Sequence, residues 1–423
     1  MVRHLIIGNS AAGITAAEIL RRLDGRAGIT VVSDEAEPAY SRCLLPDFLA
    51  GRKTGADLRI RPADFYAGNR IDRVSGRVLR VDPRSRQVLL ENGGCLDYDR
   101  LLIATGARSA FPPVPGLSGP NVTGLRTLAD ARKIVQLAGN VRRVLVVGAG
   151  FVGLETAYAL YNRGLEVTVV EKMPQILPGQ FDATAAGILQ RDMHAEGMRI
   201  ILGAGIKEVL TPSGFLNFFN KSAQGVLLDN GDRLKADLIV VAAGIRPNVE
   251  LVQDTGISTG RGITVDQFMR TSVPGVYAAG DVAETEDVVT GRVGLTPIWP
   301  NAVSQGKTAA WNMAGQPRPC SGSLGMQNAV EFREIPSIAM GITQGGDPGL
   351  EVVTAGQPGQ NVYRKLVLRD NVIVGMILVG DISGAGVIGA LIRKHADVRK
   401  FKDDILRGRF NYGYMLAEMR NAG

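Results

Sequence analysis

The hydrophobic and polar positions of this chain form two similar series, one at the N-terminus and one in the middle. In the first series an apolar run from Arg3 to Ile7 leads into the segment GNSAAG and then into a predicted helix from Ile14 to Leu23, which Asp24 and Gly25 end. A second apolar run, Ile29 to Ser33, follows. This order of strand, glycine-rich turn, helix and strand predicts a βαβ unit with parallel strands.

The second series repeats this plan. It predicts a strand from Val144 to Val147, the turn GAGFVG, a helix from Leu154 to Arg163 and a strand from Glu166 to Val170. Each series is followed later by a similar apolar strand and turn, YDRLLIATGAR in the first and ADLIVVAAGIRPN in the second. Internal duplication of one nucleotide-binding fold is the simplest explanation.

Each glycine-rich turn has the properties of a dinucleotide phosphate site. Its glycines allow a tight turn and a close backbone approach, and the helix start offers N–H groups and a positive dipole end to a pyrophosphate. The second turn has the complete fingerprint, whereas the first has Ser10 at the middle glycine position, which costs little if the side chain points away from the phosphate. The chain is therefore predicted to hold two dinucleotides, for which a flavin and a nicotinamide are the natural pair. The predicted contacts are Gly8, Ser10, Ala11, Ala12 and Gly13 in the first turn and Gly148, Gly150, Phe151, Val152 and Gly153 in the second.

Carboxylates follow the second strand of each unit. Asp34 and Glu35 in the first unit and Glu171 in the second are expected to hydrogen-bond ribose hydroxyls. Because Glu171 would repel a 2′-phosphate, NADH is favoured over NADPH, although the adjacent Lys172 could soften that preference.

Further turns complete the two predicted cofactor sites. The turns ATGAR and AAGI can each close over a dinucleotide, and the segment TSVPGVYAAGDVAE brings a third glycine loop to the phosphates or ribitol of the first. The chain is therefore expected to return to the first domain after completing the second. The backbone just before a predicted helix that contains PNAVSQGKTAA is a candidate contact to the flavin edge. The residues concerned are Ala104, Thr105, Gly106, Gly280, Asp281, Pro297 and Ile298 for FAD and Gly244 for NAD.

Length and composition favour several domains. A chain of 423 residues, 45% of them hydrophobic, is too long for one ordinary core. The predicted fold class is α/β, with two Rossmann-like FAD- and NAD-binding domains, the second inserted in the first, and a smaller C-terminal α+β domain after Pro317 and Pro319. The predicted boundaries are 1–112 with 247–316 for the FAD-binding domain, 113–246 for the NAD-binding domain and 317–423 for the C-terminal domain.

Charge and hydropathy limit the kinds of binding partner and the cellular location that the sequence favours. The net charge of +7 is a modest excess that fits a mixed solvated surface, with a basic face for an acidic electron-transfer protein as the alternative. No basic stripe interleaved with aromatic residues indicates nucleic acid. The longest apolar runs are much shorter than the ~20 residues of a membrane span, and the first strand follows Met1 directly, so a cytoplasmic location without a membrane span is expected.

The cysteines exclude several kinds of redox centre. Cys43, Cys95 and Cys320 are odd in number and far apart, which argues against a disulfide framework and fits a reducing compartment. Neither CxxC nor CxxxxC occurs, so the sequence offers no redox dithiol and no ligand set for an iron–sulfur cluster. With only three histidines, no metal site is expected.

The joint occurrence of both turns with ATGAR, GIRPN and VYAAGD is similar to the two-dinucleotide FAD/NAD(P)H flavoproteins, the pyridine nucleotide-disulfide oxidoreductases. The resemblance covers essentially the whole chain. It implies that FAD uses the first turn and the AAGD segment, that NADH uses the second turn, and that the C-terminal domain forms an interface in a homodimer or a hetero-oligomer.

Two further segments, AYSRCLLPDFLAG and LRTLADA, resemble the branch that contains nitrite reductase large subunits, rubredoxin reductases and ferredoxin reductases. Within that branch the chain looks most like the FAD- and NADH-binding subunits of tungsten aldehyde oxidoreductase or phenylglyoxylate oxidoreductase complexes. Asp47 stands where some relatives have a lysine that pairs with the glutamate equivalent to Glu155, and Lys53 is the candidate substitute. The resemblance adds Ser41, Arg42, Cys43, Val78 and Arg126 to the FAD contacts, with Arg42 at the phosphates or the flavin edge, and Glu155 to the NAD contacts.

These features predict hydride transfer between nicotinamide and flavin, after which the flavin passes single electrons to a partner. Since the chain has no cluster ligands of its own, an iron–sulfur protein or subunit is the expected partner. One alternative is an NADH oxidase, peroxidase or coenzyme A-disulfide reductase that uses Cys43 as a redox thiol beside Arg42. Another is a docking subunit that binds FAD and NADH without turnover. If Cys43 is not a redox thiol, the resemblance implies that it fills a small apolar slot that proline commonly occupies in the rubredoxin-reductase branch.

Overall fold

The computed structural model describes residues 1–212, 222–320, 322, 325, 327–411 and 413. The chain forms two compact units, each built from two segments. The first contains Met1–Arg108 and Ile245–Ser323, and the second contains Ser109–Gly244 and Leu324–Gly423. The three-domain division made from the sequence is not tested by these units and stays a prediction.

The first unit is built on a five-stranded parallel sheet. Apolar runs in four of the five strands allow the sheet to be covered on both faces, as parallel sheets require, whereas the edge strand β3 is mostly exposed. In spatial order its strands are β19 (Val276–Ala278), β7 (Arg100–Ile103), β1 (Arg3–Ile7), β2 (Gly28–Ser33) and β3 (Asp72–Ser75). Ile6 in the centre pairs with Val31 on one side and Leu102 on the other.

Smaller elements surround this sheet. The helices are α1 (Ala11–Leu23), α2 (Leu45–Leu49), α3 (Phe65–Gly68) and α7 (Trp299–Met313), with 3-10 turns at Arg42–Leu44 and Glu250–Val252. An antiparallel sheet contains β4 (Val78–Asp82), β5 (Gln87–Leu90) and β6 (Cys95–Asp97), and a mixed one contains β18 (Ile263–Thr264), β20 (Ala283–Glu286) and β21 (Val293–Leu295). Strand β8 (Ala107–Ser109) pairs with β17 (Ile245–Pro247).

The two faces of the parallel sheet carry separate apolar clusters. Ile6 faces a cluster that includes α1 and α7, whereas Leu5 and Ile7 face a cluster that includes β4 and β5. Small residues let α1 and α7 approach closely, because a Cβ added at Gly306 of α7 would lie 2.3 Å from the carbonyl oxygen of Ala12 in α1. Helix α7 thereby fixes the start of α1 from one side.

The second unit contains a parallel sheet with the same plan. In spatial order its strands are β12 (Arg199–Leu202), β11 (Glu166–Glu171), β10 (Arg143–Val147), β16 (Leu238–Val241) and β9 (Val122–Gly124). Its helices are α4 (Leu128–Ala138), α5 (Phe151–Tyr161) and α6 (Ala183–Ala195), and a small antiparallel sheet holds β13 (Ile206–Leu210), β14 (Gly225–Leu228) and β15 (Arg233–Lys235). Strands β16, β10, β11 and β12 lie in the same order as β7, β1, β2 and β3, as the repeated sequence pattern predicts.

The glycine-rich turns start the helices earlier than the apolar spacing predicts. Helix α5 begins at Phe151, so that Gly153 already belongs to its first turn, and it ends at Tyr161. The predicted bounds of Leu154 and Arg163 were therefore wrong. Position Gly153 is helical because its missing side chain lets the first turn pack on the loop, a requirement that hydrophobic spacing does not report.

In its described residues, the C-terminal part of the second unit contains an antiparallel sheet followed by helices α8 (Ala385–Arg393) and α9 (Lys402–Leu406). In spatial order the strands are β22 (Gln327–Phe332), β23 (Ile335–Gly341), β26 (Val372–Val379), β25 (Val362–Arg369) and β24 (Glu351–Gln357). Helix α8 packs against β26. Within the described part of the chain no helix has the length and hydrophobicity that crossing a membrane requires.

Candidate functional site

The first glycine of each loop is required by the neighbouring strand. Gly8 has φ +116° and Gly148 has φ +104°, values that favour glycine. A Cβ at Gly8 would lie 2.1 Å from the carbonyl oxygen of Ala104, and one at Gly148 would lie 2.6 Å from that of Ala242. Both positions therefore need glycine for the fold itself.

The last glycine of each loop is required by the loop's own start. A Cβ at Gly13 would lie 1.9 Å from the carbonyl oxygen of Gly8, and the same distance separates a Cβ at Gly153 from the oxygen of Gly148. The helix can begin against the loop only because no side chain intervenes. Glycine at positions 13 and 153 is therefore also required by the protein's own backbone.

The middle position has no such constraint. Gly150 has φ −76°, and a Cβ there would meet no protein atom within 4 Å. Ser10 at the equivalent place has φ −124°, an extended conformation that any residue adopts. The protein's own contacts therefore do not require a glycine at position 150, and the backbone there is open to close approach by a ligand.

The helix starts beside these positions suit an anion. Neither Ser10 nor Gly150 caps its helix with a side-chain hydrogen bond, and the first turns of α1 and α5 contain no acidic residue. Their first N–H groups and the positive dipole end are left for a ligand. Both loops therefore fit a dinucleotide pyrophosphate.

The third glycine loop lies beside the first, as predicted. Gly280 has φ +82°, and a Cβ there would lie 3.2 Å from the Cβ of Ala12. The N–H of Gly280 donates to Oε1 of the buried Gln305 at 2.8 Å. Gln305 was missed from the sequence, because only the packing of α7 on α1 brings it to this loop.

Arg42 is held in this region by a small polar cluster. Its guanidinium pairs with the Glu35 carboxylate and donates to the Tyr40 hydroxyl at 3.2 Å, and Tyr40 donates to Glu35 at 2.6 Å. Burial opposes the charged form, but the charges of Tyr40, Glu35 and Asp281 outweigh burial and raise the pKa of Arg42 above its ordinary value. Arg42 is therefore a positive charge held by Glu35 and Tyr40, within electrostatic reach of Asp281.

This cluster changes the role expected for the carboxylates after β2. Glu35 is engaged with Arg42 and Tyr40, and the adjacent Asp34 is exposed. The structure thus gives Glu35 a positioning task that the motif did not predict. The ribose contact of either carboxylate stays a prediction.

A tyrosine from outside the motifs anchors the first loop. The Tyr66 hydroxyl donates to Oδ1 of Asn9 at 2.8 Å and accepts the N–H of Ala39 at 3.0 Å. The Arg73 guanidinium lies 4.7 Å from the centre of the Tyr66 ring. Tyr66 connects the glycine loop to the segment that leads to Arg42, and no sequence pattern marks it.

The turn after β7 is hydrogen-bonded to Asn248, where the chain re-enters the first unit. Thr105 Oγ1 donates to the carbonyl oxygen of Asn248 at 2.9 Å, and Asn248 Nδ2 donates to the carbonyl oxygen of Thr105 at 2.9 Å. The N–H of Asn248 also donates to the oxygen of Gly106 at 3.0 Å. Since Ala104 lies against Gly8, the predicted turn and the first loop are adjacent.

The remaining predicted FAD contacts lie in several places. Ser41 and Pro297 are half-buried, Cys43 is exposed in the 3-10 turn, and the buried Ile298 is the N-cap of α7. Val78 is half-buried and packs against the edge of the apolar cluster of Leu5 and Ile7. Arg126 belongs to the second unit, where its N–H donates to the Asp130 carboxylate at 3.0 Å before α4. These FAD contacts stay predictions.

The second loop is clamped at Ala149. Its N–H donates to Oε2 of Glu171 at 2.7 Å, and its carbonyl oxygen accepts the N–H of Leu177 at 2.8 Å. The other oxygen of Glu171 accepts the N–H of Met173 at 2.9 Å. The carboxylate predicted to bind ribose is therefore fixed beside the loop, and each of its oxygens has capacity for one more hydrogen bond.

Aromatic contact supports the same loop. The rings of Phe151 and Phe181 meet edge to face with centroids 5.9 Å apart. Val152 is exposed, Glu155 is half-buried on α5, and Gly244 has φ +111° after β16.

Two further candidates, Asp47 and Lys53, lie in the first unit. The Asp47 carboxylate accepts from Arg52 at 2.7 Å, and Lys53 is half-buried.

The fold and the two loops define a protein with two Rossmann-like dinucleotide sites and an α+β C-terminal region. Residues 2–306 match the family described as pyridine nucleotide-disulphide oxidoreductase. The chain belongs to this family, and residues 329–396 match the rubredoxin NAD+ reductase C-terminal domain. Members of the family bind FAD and NAD(H), which confirms the predicted cofactor pair. The two family matches, together with the relatives and structures described next, confirm the predicted branch and fold class.

Individual relatives agree with this assignment. The epsilon subunit of NADH-dependent phenylglyoxylate dehydrogenase from Aromatoleum evansii is 31% identical over 414 residues, which are 96% of this chain and 94% of the relative. A nitrite reductase from Bacillus subtilis is 32% identical over 398 residues, 93% of this chain and 47% of the relative. A ferredoxin reductase structure from Rhodopseudomonas palustris has 28% identity and a TM-score of 0.86, covering 94% of this chain and 96% of that one.

The relatives differ in length. The chain spans about half of the nitrite reductase and of an assimilatory nitrate reductase electron transfer subunit, both from Bacillus subtilis, with 47% and 51% covered. It spans almost all of the phenylglyoxylate dehydrogenase subunit. The chain therefore corresponds to a unit that occurs both alone and as part of longer proteins.

Proposed function

We propose that this chain is an FAD-dependent oxidoreductase that passes electrons between NAD(H) and an iron–sulfur protein or subunit. The observation that carries the proposal is Gly150, a glycine that the fold does not require, at a helix start with uncapped N–H groups. When bound, the two cofactors supply hydride transfer between nicotinamide and flavin, and the flavin supplies single electrons.

In the first unit the chain binds and orients FAD. We assign the pyrophosphate to the N–H groups of the first loop, and the adjoining phosphates or ribitol to the loop of Gly280 and Asp281, which Gln305 fixes. Arg42 supplies a positive charge that Glu35 and Tyr40 hold in place. Because Arg42 is restrained before the cofactor binds, little side-chain entropy is lost on binding.

In the second unit the chain selects NADH. The loop of Gly148, Gly150 and Gly153 takes the pyrophosphate, and the Glu171 carboxylate takes the ribose hydroxyls. Glu171 is held by the N–H groups of Ala149 and Met173, so it cannot swing away from an additional phosphate. Repulsion between this carboxylate and a 2′-phosphate disfavours NADPH.

The proposed partner rests on the chemistry of the chain and on the names of its relatives. The sequence contains no set of cysteines for a cluster of its own, so one-electron transfer needs a second protein. Relatives include a rubredoxin-NAD(+) reductase from Pseudomonas putida, 29% identical over 317 residues, and a putidaredoxin reductase solved as a complex with putidaredoxin at 26% identity. We place the complex in the cytoplasm, with the C-terminal domain as its interface in a hetero-oligomer or homodimer.

Anaerobic rapid mixing tests the proposal. We expect NADH to bleach the absorbance of the bound oxidised flavin within seconds and NADPH to do so at least tenfold more slowly. Addition of oxidised rubredoxin or a [2Fe–2S] ferredoxin should then restore the flavin absorbance. Bleaching that takes many minutes would favour a docking subunit without turnover over the proposed oxidoreductase.

A thiol mechanism is the second candidate. Cys43 is exposed next to Arg42, and a relative named NADH oxidase from Methanocaldococcus jannaschii is 32% identical over 384 residues. Replacement of Cys43 by serine separates the two candidates. Loss of peroxide or disulfide reduction with retained flavin reduction supports the thiol mechanism, whereas unchanged electron transfer to the iron–sulfur protein supports the first proposal.

A further inference from the structure

We infer that the C-terminal sheet holds the NAD(H) loop in its binding-competent form, and that Lys365 and Tyr363 are positioning residues for this loop. The inference rests on the proposed NAD(H) site of the second unit. It assigns to the C-terminal domain a task in cofactor binding in addition to its proposed role as an interface.

The first step is the support that residues 175–182 give to the loop. Leu177, with φ +49° and almost complete burial, donates its N–H to the carbonyl oxygen of Ala149 at 2.8 Å. The fully buried Phe181 packs its ring against Phe151, the first residue of α5. Movement of this segment therefore displaces both the loop backbone and the helix start that would bind the pyrophosphate.

The second step is the attachment of that segment to the C-terminal sheet. Asp182 is the N-cap of α6, with Oδ1 accepting the N–H of Ala185 at 3.0 Å. Its Oδ2 accepts from the Lys365 ammonium at 3.0 Å and from the Tyr363 hydroxyl at 2.8 Å, both on β25. One carboxylate thus joins the helix start to the sheet.

Two further contacts secure the same segment. Nε2 of Gln344, which follows β23, donates to the carbonyl oxygen of Phe181 at 3.1 Å. Asn328 on β22 hydrogen-bonds the side chain of Gln180. Residues from β22, from the segment after β23 and from β25 therefore hydrogen-bond three consecutive residues, 180 to 182, behind the NAD(H) loop.

The cluster around Asp182 joins a partly buried carboxylate to two buried partners, so the loss of one group affects the others. Lys365 and Tyr363 are 5% and 6% exposed. Burial would raise the pKa of Asp182, but hydrogen bonds from Ala185, Lys365 and Tyr363 outweigh it and lower that pKa, while burial and Asp182 raise the pKa of Tyr363. Loss of the ammonium leaves a partly buried carboxylate, 17% exposed, without its counter-charge, and we expect the segment to rearrange in response.

The Lys365→Met variant tests the inference. We expect the dissociation constant for NADH to rise at least about fivefold, the lower end of typical coupling between sites. The rate of flavin reduction at saturating NADH and the FAD content should stay within twofold of the wild type. This division is expected because the loop binds the dinucleotide, whereas FAD belongs to the other unit.

Arg333→Met is the matched control. Arg333 also joins the C-terminal sheet to α6, through Asp192 at 3.1 Å and Glu196 at 3.0 Å, but at the far end of the helix. Its NADH affinity should equal that of the wild type. Equal weakening in both variants would show that any loosening of α6 has the same effect and would overturn the specific role of the Asp182 cluster.

The Gln344→Met variant keeps the inference testable if Lys365→Met does not fold. It removes the donor to Phe181 without unpairing a charge, and it should weaken NADH binding while thermal unfolding changes little. Wild-type affinity in either folded variant overturns the inference. A wild-type protein that binds no NADH would instead overturn the proposed function, so the two failures are distinguishable.

Discussion

Replacing Gly150 by alanine separates what the ligand requires from what the fold requires. At φ −76° alanine is sterically allowed, and its methyl would meet no protein atom within 4 Å. The entropy gained from losing glycine, about 0.4–1 kcal/mol, is offset by alanine's weaker N-cap preference, so stability should change by less than about 1 kcal/mol. Folding should be preserved.

Binding should respond differently. The methyl occupies the space in which a phosphate would contact the loop, and one charge-assisted hydrogen bond lost or lengthened costs about 1.5–3 kcal/mol. The first loop carries Ser10 at φ −124° rather than −76°, which shows that a rotated backbone can accommodate a Cβ here. We therefore expect the lower value, a roughly tenfold rise in the NADH dissociation constant.

The assay is a fluorescence or calorimetric titration with NADH, with FAD content and thermal unfolding measured on the same samples. Gly153→Ala is the contrasting variant, because its Cβ would lie 1.9 Å from the carbonyl oxygen of Gly148 and should destabilise the second unit by about 1–3 kcal/mol or more. A folded Gly150→Ala protein with wild-type NADH affinity would refute the reasoning that the ligand dictates this glycine.

Three other changes give distinct expectations. Burial lowers the pKa of His4 to about 4, so stability should rise by about 3 kcal/mol between pH 4 and 6.5 and be lost as the pH falls, and His4→Leu should flatten this slope in denaturant titrations. Glu35→Gln removes the partner of Arg42 and should weaken FAD binding about tenfold in equilibrium dialysis. Its control, Asp47→Asn, breaks a more exposed ion pair and should change nothing; equal effects would argue against the Arg42 cluster. Gly306→Ala places a methyl 2.3 Å from a carbonyl oxygen of α1 and should lower both thermal stability and FAD content, whereas normal values would show that α7 can shift freely.

Local sequence patterns predicted the repeated part of the fold, because its strands, glycine turns and helix starts depend on residues that are close together in sequence. Apolar runs, the glycine turns and the carboxylate at the end of β11 indicated two similar units, and four strands of each sheet lie in the same order. The segment AAGD was expected to join the first site, and Gly280 lies against Ala12. These features depend on backbone geometries that only a few residue types allow, so the residue types themselves reveal them.

Residues that act through tertiary contact left no such trace. Gln305 reaches Gly280 only because α7 packs on α1, and Tyr66 reaches Asn9 only after the chain has passed through the second strand. Glu35 was correctly placed at the end of β2, but its engagement by Arg42 and Tyr40 depends on how the next segment folds back. A motif shows which residues are near a site and not which of them are already engaged.

The clamp on Ala149 also bears on how readily the cofactor preference can change. Glu171, which we propose to discriminate against a 2′-phosphate, also accepts the N–H of Ala149 in the loop and that of Met173, so a substitution here acts on both the proposed selectivity and the support of the loop. A basic residue at this position would remove the acceptor as well as the negative charge, and the N–H of Ala149 would then need a new hydrogen-bond acceptor. Glutamine would remove the charge and keep an acceptor oxygen, so charge and loop support are separable at this position.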